Sequence, residues 1–146
     1  MVKRGRRGQI HLSFGMIFSI ILIIIFIAFA FYAIQKFLGL QDSIKINTFY
    51  DTLQNDVNTV WNSAQAVQPK PYILPSSVKE ICFTNTGSEN MILYGNNNRP
   101  ENSHNVDHIN ITATTAAGDS CFNVINGQLS LVLQKNFGDT LVTIAK

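Results

Sequence analysis

Met16-Ile17-Phe18-Ser19-Ile20-Ile21-Leu22-Ile23-Ile24-Ile25-Phe26-Ile27 is the stretch on which the organisation of this 146-residue chain turns. No formally charged residue stands between Arg7 and Lys36. About 20 apolar residues, each rising about 1.5 Å, cross the ~30 Å hydrocarbon core of a bilayer, so the segment is long enough to span one. Backbone groups in lipid must pair among themselves, which predicts a helix despite the β-branched isoleucines. A core helix is the bland alternative, but so short a chain has nothing else to wrap this segment on all sides.

The flanking charges give an orientation. Residues 1–38 hold Lys3, Arg4, Arg6, Arg7 and Lys36 with no acid, a charge of +5, whereas residues 39–146 carry −3, for a net +2. Basic residues concentrated before the span predict a cytoplasmic N-terminus, with everything beyond Leu40 exported. Tyr32 and Lys36 fall where an interfacial aromatic and a snorkelling amine belong. The basic net charge therefore reflects the tail alone. The remainder is mildly acidic without a clustered basic face, which argues against nucleic acid as a partner.

Beyond Gln41 the apolar residues Ile46, Phe49, Tyr50, Leu53, Val57, Val60, Trp61, Ala64 and Val67 recur at spacings of three and four. That period predicts an amphipathic helix over 39–68, with Asp51, Gln54, Asn55, Asn58 and Asn62 on its solvent side. Asp42 or Ser43 would cap its start, Pro69-Lys70-Pro71 would end it, and Gly39 is the weak point where it joins the membrane helix. Residues 69–77, with three prolines, read as a stiff extended linker.

From residue 78 the period changes to two. Strands are expected over 78–84 and 90–94 around Asn85-Thr86-Gly87-Ser88, over 107–115, over 121–125 and 128–134 around Asn126-Gly127, and over 140–145. The last three would form a meander. The expected class is α+β: a long hydrophobic helix continuing into an amphipathic one, packed on a small antiparallel sheet or sandwich over residues 78–146. Cys82 and Cys121, both exported, are expected to form a disulfide closing a loop of about 40 residues, worth about 4 kcal/mol in the chain-entropy model.

Asn110-Ile111-Thr112 is an N-glycosylation sequon in the exported region, which makes Asn110 a candidate glycosylation position if its side chain faces solvent. His104-Asn105-Val106-Asp107-His108 is the cluster nearest to metal chemistry, but it lacks a third strong ligand and follows a polar loop, so a solvated loop is expected and no metal. No nucleophile–base order, phosphate loop or dinucleotide fingerprint is present. The reading is a protein without catalytic residues or cofactors. The asparagine-rich loop over 95–105 is where contacts with other molecules would be sought.

Lys3-Arg4-Gly5-Arg6-Arg7-Gly8-Gln9 is a basic leader ending in glycine directly before the hydrophobic run. It resembles the class III leader of type IV pilin-like proteins, particularly the archaeal type, in which a membrane aspartyl prepilin peptidase cuts after the glycine. The resemblance covers leader and helix, not the head. It implies a cytoplasmic leader over 1–8 and cleavage between Gly8 and Gln9. It also implies a helix over 9–38 that packs against like subunits in a filament core. Where such pilins often carry Glu at the fifth mature position, this chain has Ser13. The expected function is a structural or adhesive surface subunit. The rivals are an uncleaved, signal-anchored binding module and a low-copy accessory subunit of a pilus or secretion machine. Cleavage after Ala28-Phe29-Ala30 by ordinary signal peptidase would instead release the head, but the chain stays apolar through Ile34 where a polar region should follow.

Overall fold

The computed structural model describes residues 14–116 and 121–146. The elements run α1 (Phe14–Trp61), β1 (Ala66–Ile73), β2 (Val78–Phe83), β3 (Met91–Gly95), β4 (Pro100–His104), α2 (Ile111–Thr115), β5 (Cys121–Asn123), β6 (Gln128–Lys135) and β7 (Thr143–Ala145). The fold is α+β, with two antiparallel sheets ordered β1-β6-β7 and β4-β3-β2-β5. The chain divides into two compact units, one ending at Leu40 and one spanning Gln41–Lys146.

In the second unit, α1 buries Ile46, Phe49, Leu53, Val57 and Val60. These join Tyr72 of β1, Ile81 and Phe83 of β2, Met91 and Leu93 of β3, Leu131 and Leu133 of β6 and Ile144 of β7 in one core. The spacing of three and four in the helix meets the alternation of two in the strands, and each supplies the face the other must cover. Phe49 meets Tyr72 edge to face at 5.4 Å between ring centroids. The Tyr72 hydroxyl donates to Asp56 Oδ2 at 3.0 Å, and Lys70 Nζ lies 3.0 Å from Asp56 Oδ1.

The helix ends earlier than its periodicity suggests. It stops at Trp61, so Ala64 and Val67 lie beyond it. The stop has a visible cause. Lys135 Nζ donates to Trp61 O at 2.6 Å and to Ser63 O at 2.9 Å. An ammonium there satisfies carbonyls that have no helical partner and lies at the negative end of the helix dipole. Gly39 lies inside α1 and does not break it.

Four strand expectations need correction. The Pro-rich stretch taken as a linker over 69–77 is mostly β1, paired with β6 from Ala66↔Lys135 to Ile73↔Gln128. As an edge strand it accommodates Pro69 and Pro71, whose missing N–H groups cost nothing on the unpaired side. Val67, Pro69, Pro71 and Ile73 are exposed, while Tyr72 is buried. Residues 107–115 are not a strand. Ile109 makes a single parallel bridge to Val142, and Ile111–Thr115 form α2 because Asn110 Oδ1 accepts the Ala113 N–H at 3.0 Å. A side-chain cap outweighs the β-branched composition of five residues.

The C-terminal meander is also split. Asn126 (φ 53°) and Gly127 (φ 73°) do form the two-residue turn, closed by paired hydrogen bonds between Ile125 and Gln128. Past that bridge the flanking strands part: β5 pairs with β2, and β6 with β1 and β7. Gly127 is required twice over, since a Cβ there would meet Leu74 O at 2.9 Å. Finally, β4 lies inside the stretch read as a polar loop. Its side chains are mostly exposed, so no alternation of two marks it.

Cys82 and Cys121 are directly opposed residues of β2 and β5 and form a disulfide. It fastens a strand of three residues to the sheet. Replacing both cysteines by Ala in the detergent-solubilised chain is expected to lower the unfolding free energy of the head by about 4 kcal/mol. The readout is the fluorescence of the single tryptophan, Trp61, against guanidinium, and an unchanged midpoint contradicts the expectation.

Burial raises the Tyr72 phenol far above its ordinary range, and the Asp56 charge and hydrogen bond raise it further. The folded state thus holds the phenol neutral. Its contribution is complete below the free-phenol value of about 10 and declines as pH rises above it. Above that pH the parent should lose stability more steeply than Tyr72→Phe, and parallel curves would contradict the assignment.

Candidate functional site

In the first unit, the apolar part of α1 buries nothing. From Phe14 to Leu40 its side chains are exposed, apart from half-buried Leu22. Ile23, Ile24, Ile25, Phe26 and Ile27 each keep half or more of their surface. One helix is thus long and apolar enough to cross a membrane. Ser19, the one serine within the described apolar run, donates to Gly15 O at 2.8 Å, the internal pairing a lipid environment demands. Near its end Lys36 Nζ lies 5.9 Å from the centroid of Tyr32. Gly8, Gln9 and Ser13 lie outside the described residues.

The second unit places the histidine segment differently from expectation. Residues 104–108 are not a solvated loop but are pinned along α1. Tyr50 stacks on His104 at 4.6 Å and its hydroxyl donates to Asn105 O at 2.6 Å. Gln54 Oε1 accepts the Asp107 N–H at 2.9 Å, and Gln54 Nε2 donates to Asn58 Oδ1 at 3.0 Å. His108 Nδ1 lies 3.1 Å from that same oxygen, while its ring stacks on Trp61 at 3.8 Å. Trp61 Nε1 in turn donates to Thr140 O at 3.0 Å. Tyr50, Gln54, Asn58 and Trp61 follow the helical repeat, so they form a second stripe beside the apolar one. Gln54 and Asn58, assigned to the solvent side from the sequence, are half-buried under this segment, whereas Asp51, Asn55 and Asn62 are exposed as expected.

From the other side the segment is held by Asn90. Its Nδ2 donates to Val106 O and its Oδ1 accepts the Val106 N–H, both at 2.8 Å. Val106 itself is buried. His108 thus both stacks on the helix and hydrogen-bonds to it, whereas His104 stacks on Tyr50 and its buried Nε2 has no hydrogen-bond partner among the described residues. The signal for it was present as the spacing of four shared by His104/His108 and by Tyr50/Gln54/Asn58, but it could be joined only once the chain's return path was known.

Asn110 stands at the N-cap of α2, half-buried, with its backbone N–H donated to Val142 O at 2.7 Å. Among the described residues, the one grouping with metal-ligand geometry is Glu80, Cys82 and Cys121, and there both sulfurs are committed to the disulfide. The loop over 95–105 divides into a turn, with Asn98 at positive φ, and the edge strand β4. A depression of about 270 Å³ is lined by Thr114, Cys121, Phe122, Ile144 and Lys146 among others. Compared with family models, with curated proteins and with solved structures, the chain shows no match.

Asn90→Ala would leave both polar groups of buried Val106 unpaired. At about 1–3 kcal/mol for each orphaned group, a loss of about 3 kcal/mol is expected on denaturation of the solubilised chain. Asn90→Asp, which keeps the acceptor and loses the donor, should fall between the two; a neutral Ala variant would show that the clamp carries no stability.

Proposed function

We propose that the chain is a pilin-like surface subunit, with a structural or adhesive role. In this reading its N-terminus is cytoplasmic, its head is extracellular, and the apolar part of α1 is first a membrane anchor and then, after processing between Gly8 and Gln9, an assembly element. The observation that carries the reading is the make-up of α1. One helix of 48 residues holds a long apolar stretch that buries nothing and a second stretch that supplies five core residues of a disulfide-closed head. The first stretch needs an apolar environment from outside its own unit, which a bilayer or the same helix from like subunits would supply. The basic leader and its resemblance to class III leaders favour both in succession. The disulfide accords with an oxidising exterior.

Intact mass and N-terminal sequencing of protein taken from its native membrane test the reading. A chain beginning at Gln9 is expected, and a Gly8 variant with a bulky residue should accumulate as precursor and lose its filaments. A chain still beginning at Met1 or Val2 would end the filament reading and leave a signal-anchored module.

A further inference from the structure

We infer that Asn110 is a built N-glycosylation site on the head, used by transfer from a lipid-linked oligosaccharide; the inference rests on the reading of the head as exported. A sequon alone is a pattern of three residues. What the structure adds is the division of labour within the Asn110 amide. The oxygen is engaged, as Oδ1 caps α2 by accepting the Ala113 N–H. The nitrogen is free: among the described residues Nδ2 has no hydrogen-bond partner, and it is not among the buried unpaired atoms. Glycosylation modifies that nitrogen and leaves the amide oxygen in place, so the cap and the glycan are compatible on one side chain.

The rest of the sequon is disposed to suit. Thr112 is exposed, and its hydroxyl makes no hydrogen bond among the described residues. Ile111, between the two, packs against the core cluster and fixes which way its neighbours face. In the expected strand the asparagine would have been bound into a ladder. At the start of α2 its backbone N–H is donated instead to Val142 O, and the half-buried side chain has no partner for its nitrogen among the described residues. The transfer balances. The bond from the sugar's anomeric carbon to the phosphate oxygen of the lipid carrier breaks, and the carbon–Nδ2 bond forms. The proton leaves Nδ2, and the lipid phosphate departs with the bonding pair.

The test is glycopeptide mass mapping, without reduction, of full-length protein from its native membrane. It compares the parent with Thr112→Ser, Thr112→Ala and Asn110→Asp, the last keeping an oxygen at the cap. The peptide containing Asn110 is expected to carry glycan mass in the parent and in Thr112→Ser, and none in the other two. An unmodified Asn110 in protein with Cys82 and Cys121 linked would overturn the site while leaving export intact. An unmodified Asn110 with both thiols free would overturn the exported reading and the site with it. Glycan mass that survives Thr112→Ala would overturn the sequon as its cause.

Discussion

The head depends on one contact: the face of α1 formed by Ile46, Phe49, Leu53, Val57 and Val60 against the inner faces of the two sheets. Leu53, Val57 and Val60 are fully buried. The other helix among the described residues, α2, is a single turn of five residues that buries only Thr114. Truncating one such buried leucine typically costs about 2–5 kcal/mol, a large share of the 5–15 kcal/mol that holds a small domain together. The helix is thus both support and core of the head.

Around that contact the molecule secures short or awkward pieces with specific devices. The disulfide holds β5, Lys135 holds the end of α1, Asn90 holds Val106, and Asn110 starts α2. Each fixes a place where the hydrophobic pattern alone leaves the chain undecided. The free edge of β1 is treated the opposite way: Pro69 and Pro71 remove donors that would invite another strand, while leaving an exposed apolar row beside them.

Much of this was legible in the residues. The apolar run, the amphipathic period as far as Trp61 and the Asn126-Gly127 turn each rest on a local rule and appear where it places them, and the two cysteines pair as expected. What could not be read was set by partners distant in sequence. Prolines argued for a linker until β6 was seen to pair with only one side of β1. Ile and Thr argued for a strand at 111–115 until the Asn110 cap and the bond from Ile144 N to Thr114 Oγ1 showed why a helix turn fits there. Gln54 and Asn58 looked like solvent-facing residues because their partners arrive some fifty positions later. The leader lies outside the described residues, so its reading still stands on sequence.

The claim that the second part of α1 is the organising core of the head is open to one direct comparison. A fragment of residues 41–146 and one of residues 62–146 would be produced under oxidising conditions and examined by amide NMR and denaturant unfolding. The account predicts dispersed resonances and a cooperative transition for the longer fragment, and collapsed resonances without a cooperative transition for the shorter. Equal dispersion and equal unfolding free energy in the two would contradict it, since the sheets would then fold without the helix that is held to be their core.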